Sequence, residues 1–191
     1  MQLAIASKRK SRSTIEKEFP NACVIDVTSQ ADLPWVRFSP FYPHGSIPIP
    51  FSEGETGLSV EGIWQALKVF EKADVDRSKL EVSNMKGIKR TVRSLGKVLG
   101  HRKGLLGSEL LGYLDAREQI YLPCYLYVLE NYLQDDVAKL KQLTQDNKVV
   151  LLDYETNANI DDLTKPLSHA ALIKSYLQGE YPSNRIAGGN L

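Results

Sequence analysis

The segment from Leu33 to Gly57 constrains this chain more than any other. It holds five prolines, three glycines and six aromatic rings counting His44, so neither a helix nor a strand of ordinary length can run through it. Proline removes a backbone donor and fixes one dihedral, and glycine favours turns. The expectation is an ordered but irregular loop, of a length that in compact domains is often functional. Its most aromatic part is Phe38-Ser39-Pro40-Phe41-Tyr42-Pro43. After the connector comes Ser59-Val60-Glu61-Gly62-Ile63-Trp64-Gln65-Ala66-Leu67-Lys68-Val69-Phe70, an amphipathic sequence with one well-placed carboxylate.

Ser59 is placed to cap a helix reaching about Lys72, with Val60, Ile63, Leu67 and Phe70 on its core face. Glu61, Gln65, Lys68 and Lys72 recur on the opposite face. They read either as a solvated stripe, worth about 0.2–0.5 kcal/mol per acid–base pair, or as a site. In the second case the aromatic loop lies over the stripe and Glu61 is a partly desolvated carboxylate, usable as an acid, a base or a stabiliser of positive charge. Periodicity leaves both open.

Elsewhere, Leu3-Ala4-Ile5-Ala6 and Cys23-Val24-Ile25-Asp26-Val27 read as short buried strands. Ser13-Thr14-Ile15-Glu16 has the spacing of a capping box opening a helix between them, a β-α-β start. A helix is expected over roughly Met85 to Leu99, with Ile88, Val92, Leu95 and Leu99 as its apolar stripe. Leu110 to Leu133 is helix-like and interrupted at Pro123, giving two helices or one bent one. Asp136 to Leu143 continues helical, Val149 to Tyr154 is a buried strand, Asn157 to Lys165 a polar loop, and Ser168 to Leu177 a last helix. The expected fold is α+β and mostly helical, with a few short strands. An N-terminal β-α-β extension (1–33) packs on a main domain (34–178), and a frayed, flexible tail follows (179–191).

Composition excludes several classes. Apolar residues at 42% and charged residues at 25% suit a soluble globular protein, and 24 Lys plus Arg against 23 Asp plus Glu give no global pull toward nucleic acid or membrane. No apolar run approaches a membrane span, and the five-residue apolar opening before Ser7-Lys8-Arg9-Lys10 is too short for a signal-peptide core. Cys23 and Cys124 are the only cysteines, each in an apolar context suiting buried thiols, so a reducing cytoplasm is the expected compartment. There is no glycine-rich nucleotide fingerprint, nucleophile elbow, zincin motif or Cys/His ligand cluster, and neither a metal nor a cofactor is expected.

Charge is uneven locally. No acidic residue lies between Glu81 and Glu109, while Lys86, Lys89, Arg90, Arg93, Lys97, Arg102 and Lys103 supply seven cations. On the expected helix Lys86, Arg90, Arg93 and Lys97 share a face, which suits either phosphate recognition or plain solvation. The loop after Asp153 alternates oxygen ligands in the manner of a calcium loop, but Ala158 stands at the sharp-turn glycine and Thr164 at the bidentate glutamate. Its Asn157, Asp161 and Asp162 either present acceptors to a ribose or base or serve turn chemistry. His169 opens the last helix, where the dipole favours a neutral imidazole, and a lone histidine there is more often structural than catalytic.

The Phe38–Pro43 loop and the Ser59, Glu61, Gln65, Ala66, Lys68, Phe70 pattern resemble the NADAR/YbiA-like superfamily, with Pro40 in place of that family's Asn, Gly62 in place of a His, and the final Phe displaced by one. The resemblance implies a single helical domain acting on N-glycosidic bonds of phosphoribosyl or ADP-ribosyl compounds, with Glu61 as catalytic carboxylate. It gives substrate-positioning roles to the loop and Gln65; joined to the chemistry of the residues themselves, the expected substrate contacts are Trp35, Arg37, Ser39, Phe41 and Tyr42 of the loop, Trp64, Gln65 and Lys68 of the helix, and Asn157, Asp161 and Asp162 beyond. Phosphate falls to Lys86, Arg90, Arg93, Lys97 and Arg102. The residue types match the chemistry: a carboxylate for oxocarbenium charge or water, cations for phosphate, and an aromatic wall for the base. The partner is then a nucleotide-like small molecule or an ADP-ribosylated substrate. The alternative is a non-catalytic nucleotide or nucleic-acid binding module using the same pocket.

Overall fold

The computed structural model describes residues 2–186. In chain order it comprises β1 (Leu3–Ser7), α1 (Arg12–Glu18), β2 (Cys23–Asp26), a 3-10 turn at Trp35–Phe38, β3 (Ile47–Pro48), β4 (Thr56–Gly57), α2 (Val60–Leu67) and β5 (Lys68–Phe70). A 3-10 turn at Arg77–Glu81, α3 (Val92–Leu95), β6 (Val98–Arg102), β7 (Leu110–Leu111), α4 (Tyr113–Ala116), a π turn at Arg117–Tyr121 and α5 (Leu122–Asn131) follow. The chain closes with α6 (Gln134–Asp146), β8 (Val149–Asp153), α7 (His169–Gln178) and a 3-10 turn at Ser183–Arg185. This is an α+β fold. Among the described residues no helix is long and apolar enough to cross a membrane.

Contacts divide the chain differently from the boundaries expected at 33 and 178. One compact unit is Met1–Ser39 with Leu133–Tyr181, and the other is Pro40–Tyr132 with the segment from Pro182.

The first unit is built on a parallel sheet in the order β1-β8-β2. The β-α-β start is present, but its two strands are not neighbours, because β8 from far along the chain pairs with both. A central parallel strand is covered on both faces, which is why it reads as an unbroken apolar run. Val149, Val150 and Leu151 are wholly buried, each contributing about 1.5–3 kcal/mol. The helix between β1 and β2 starts two residues earlier than the capping-box spacing implies: Ser11 is its cap, its hydroxyl accepting from the Thr14 N–H. Helix α7 is capped by Ser168, whose hydroxyl accepts from Ala171, and ends at Gly179 in the left-handed region.

The same unit holds a buried charged cluster. Ser168 Oγ donates to Asp153 Oδ2 at 2.7 Å, His169 Nδ1 lies 3.0 Å from the same oxygen, and His169 Nε2 lies 2.8 Å from the Val27 carbonyl. Both ring nitrogens face acceptors, so both donate and the ring is an imidazolium. Burial pulls the His169 pKa down, but Asp153, the Val27 carbonyl and Asp26 together raise it above the ordinary value, while His169, Ser168 and the Ala170 N–H hold Asp153 low against its own burial. The neutral imidazole expected from the helix dipole is thereby overturned. These three residue types also make catalytic triads, but here the serine donates to the aspartate and the distal imidazole nitrogen is occupied, so no nucleophile is activated.

In the second unit, β3 and β4 pair as a short hairpin inside the otherwise irregular proline-rich segment, and β5-β6-β7 form a small antiparallel sheet. The helix expected over Met85–Leu99 is absent apart from the four residues of α3. Met85, Gly87 and Gly96 adopt left-handed dihedrals that no helix accommodates, and residues from Val98 are a strand. Of the proposed stripe only Ile88 is buried, while Val92 and Leu99 are exposed. Between Leu110 and Leu133 the helical run begins at Tyr113 and passes through the π turn into α5, with Pro123 directly after the π turn and the run continuing through it. In the described part of the tail Ser183–Arg185 form a 3-10 turn and Arg185 pairs with Glu118 at 2.6 Å. Residues 187–191, the rest of the expected flexible tail, lie outside the described residues.

Replacing Asp153 with Ala leaves a buried imidazolium without its counter-ion and is expected to cost about 3–5 kcal/mol in urea unfolding near pH 6. The pH dependence has two edges. The Asp153 contribution is complete above its ordinary 3.8 and is lost as pH falls through its lower folded value; the His169 contribution is complete below 6.5 and is lost as pH rises through its higher folded value. Stability should therefore show a plateau between those ordinary values in the wild type, and the alkaline loss should be absent from His169→Gln.

Candidate functional site

The candidate site lies in the second unit and starts from helix α2, all eight residues of which are buried. Burial of the helix on every side rules out a solvated stripe for Glu61 and Gln65. Ser59 caps the helix, its Oγ accepting from the Gly62 N–H at 3.0 Å. The Glu61 N–H, an orphan donor of the first turn, reaches the Pro40 carbonyl at 2.8 Å. The aromatic loop and the helix start are thus joined through backbone. Gly62 has its own reason: a Cβ there would fall 2.6 Å from the Lys79 carbonyl and 2.9 Å from Ser59 Oγ, so no larger residue, histidine included, fits without moving backbone.

Gln65 sits one turn on and donates Nε2 to Glu61 Oε1 at 2.9 Å. Its own Oε1 accepts from the Arg90 N–H at 3.0 Å, which fixes the amide orientation. Glu61 Oε2 accepts no hydrogen bond among the described residues. Burial pushes the Glu61 carboxyl up, against Gln65 and the nearby cations Lys68 and Lys89. Lys68, at the start of β5, lies with its ammonium 5.8 Å from the Trp64 ring centroid, and burial pulls its pKa down against the pull of Glu61. Lys89 lies 5.4 Å over the Phe41 ring.

Trp64 is the hub of an aromatic cluster, with His101 at 3.8 Å between ring centroids, Tyr121 at 5.8 Å and Tyr113 at 6.0 Å. His101, inward-facing on β6, is 1% exposed and neither ring nitrogen has a hydrogen-bond partner. Burial, helped by Lys68, lowers its pKa to about 3, so the ring is neutral. A cavity of about 380 Å³ is lined by Lys68, Val98, Leu99, Gly100, His101 and Tyr113.

The other expected site residues are distributed as follows. Trp35, Arg37 and Ser39 belong to the first unit: Trp35 stacks on Phe38 at 6.1 Å and lies under Lys139, Arg37 pairs with Asp136 at 2.6 Å, and Ser39 ends the 3-10 turn. Asn157, Asp161 and Asp162 are also there, in turn chemistry: Asn157 Nδ2 donates to the Asp162 and Lys165 carbonyls, its Oδ1 accepts from the Asn159 N–H, the Asp161 N–H meets Asn159, and Asp162 accepts from Thr164. In the second unit Tyr42 packs against His44 at 4.9 Å.

The expected phosphate face does not exist, because the helix that would carry it does not. Arg90 is inward: its guanidinium donates to the carbonyls of Gln65, Lys68 and Asp74 and lies 4.9 Å from the Phe70 ring. Arg102 forms a two-point pair with Asp74. Lys86, Arg93 and Lys97 are exposed. His101 and Lys89, absent from the expected site, have taken the positions beside Trp64 and Phe41. The signal for His101 was Gly96 and Gly100, which break the helical reading and allow a strand to begin. Among the described residues no three His, Cys, Asp or Glu side chains converge on a metal position.

A model described as a family of unknown function, DUF6939, matches residues 7–173, and the chain belongs to that family. No curated protein and no solved structure matches it.

Arg90→Met should cost at least about 2 kcal/mol in thermal or urea unfolding, since three carbonyls lose a charged donor, whereas Lys86→Ala and Lys97→Ala should stay within about 0.5 kcal/mol of wild type. Gly62→Ala should lose about 1–3 kcal/mol through the clash with the Lys79 carbonyl. Equal stabilities across this set would contradict the assignment of Arg90 as structural.

Proposed function

We propose that this DUF6939 protein is an N-glycosidase-type hydrolase acting on a phosphoribosylated or ADP-ribosylated nucleobase compound, with Glu61 as its catalytic carboxylate. One observation carries the reading: a buried carboxylate has one oxygen held by Gln65 and the other without a hydrogen bond, between two cations. The oxygen that Gln65 does not hold is left for water or a ligand to engage. Burial raises the pKa of the carboxyl, as at sites where a carboxylate exchanges protons.

In the reaction the C–N bond to the base breaks as positive charge builds at the anomeric carbon, which Glu61 stabilises as a carboxylate. The C–N electron pair leaves with the base, water bonds to that carbon and gives its proton to Glu61, and Glu61 returns that proton to the departed base, so base and free sugar are the products and Glu61 is again a carboxylate. Lys68 offsets the buried charge of Glu61. Lys89, above Phe41 and exposed, takes the phosphate role that Arg90 and Arg102 do not have free donors to fill. The NADAR/YbiA-like pattern at Phe38–Pro43 and Ser59–Phe70 supports the same assignment of Glu61, and the fit of Gly62 against Lys79 accounts for one of its departures.

The test is chromatography of released base from a panel of phosphoribosylated and ADP-ribosylated nucleosides, using wild type and Glu61→Gln. Wild type should release base, and Glu61→Gln should be slower by about 10²–10⁴-fold at a nearly unchanged melting temperature. Ligand bound but unaltered by either protein would replace the hydrolase with the non-catalytic binding module.

A further inference from the structure

The proposed reaction needs a place for the base. The cavity of about 380 Å³ shares Lys68 with the Glu61 neighbourhood, and its mouth is apolar: Val98 and Leu99 are 43% and 55% exposed and Tyr113 39%. Apolar side chains exposed at a cavity rim, rather than turned inward, are what a planar ring would cover.

His101 decides what kind of ring. Neutral imidazole has one N–H donor and one bare nitrogen acceptor, and here both are buried with no partner among the described residues. Buried polar atoms in native proteins are overwhelmingly paired, and a structural role would be filled as well by phenylalanine without the desolvation cost. The ring lies against Trp64 with centroids 3.8 Å apart and planes tilted by 36°. Being uncharged, it offers one donor and one acceptor rather than a counter-charge.

We infer that the cavity bounded by Lys68, Val98, Leu99, Gly100, His101 and Tyr113 is the base subsite, taking an uncharged heteroaromatic ring whose polar edge hydrogen-bonds His101. This rests on the reading of Glu61 as the catalytic carboxylate of an N-glycosidase and adds the residue that selects the leaving group. His101 acts on specificity and positioning, not on the bond that breaks.

The experiment is binding of free nicotinamide, adenine and hypoxanthine, followed by Trp64 fluorescence in a Trp35→Phe background, which removes the only other tryptophan. At least one base should quench Trp64 saturably, and His101→Phe should weaken that Kd by 10-fold or more. Because His101→Phe also changes packing, the imidazole nitrogen shifts of the three histidines are followed in ¹⁵N-labelled Trp35→Phe protein, where His101 should move on addition of the base. Absence of binding by all three bases, or equal affinity in His101→Phe with no shift of the His101 nitrogens, overturns the subsite. Binding that depends on His101 without turnover of any glycoside retains the subsite and removes the hydrolase; turnover insensitive to His101→Phe does the reverse.

Discussion

The geometry of the candidate site depends on where the Arg90 guanidinium goes. It enters beneath the end of α2 and donates to the Gln65 and Lys68 carbonyls, two of the groups that a helix end leaves unpaired, and to the Asp74 carbonyl beyond. A cation at a helix C-terminus is favoured by the dipole as well. Once Arg90 is there, its own N–H meets Gln65 Oε1, which forces the amide to present nitrogen, not oxygen, to Glu61. A residue that sequence reading assigned to phosphate is therefore what orients the catalytic candidate, through one side-chain amide.

Electrostatics around Trp64 then follow from proximity. Glu61 and Lys68 face one another in a poorly solvated place, each making the charged form of the other less costly while burial works against both. The Lys68 charge in turn opposes protonation of His101, which burial already disfavours. The result is one cation, one carboxylate and one neutral imidazole held on a single aromatic scaffold. Lys68 and His101 line one cavity, which lets them distinguish parts of one ligand: the ammonium suits a polar or anionic group and the imidazole an uncharged edge.

How much of this was legible depended on whether the deciding contact was local. The cap at Ser59, the buried strand at Val149 and the last helix after Ser168 are written within a few residues and appear as read. The long proline-rich loop is irregular as its composition requires. The order β1-β8-β2 was not legible, because nothing in the run from Val149 says which strands flank it. The helix over Met85–Leu99 failed because a stripe of period 3.6 was weighed above Gly87, Gly96 and Gly100. Gly96 has φ +81°, a backbone state that ends any helix, so the basic residues counted on one face were never on one. Likewise the stripe Glu61–Gln65–Lys68 has the same spacing whether solvent or protein covers it. Only tertiary packing decides, and here it buried the first two.

The two buried polar systems of this chain argue by contrast for where chemistry belongs. Around Asp153 every group is matched: the carboxylate accepts from Tyr154, Ser168, Ala170 and His169, and the imidazolium donates at both nitrogens. Such a closed network has no group left to engage a substrate, and its four partners make it a fastening for β8 and α7. Around Trp64 the matching is incomplete: Glu61 has one oxygen without a hydrogen bond and His101 has two nitrogens without any. Burying the His101 nitrogens unpaired costs about 1–3 kcal/mol each, and a fold selected only for stability would replace that ring with hydrocarbon. That they remain, next to a cavity and on a rigid helix and strand, is the physical reason to place recognition and catalysis in the second unit rather than at the serine, histidine and aspartate of the first.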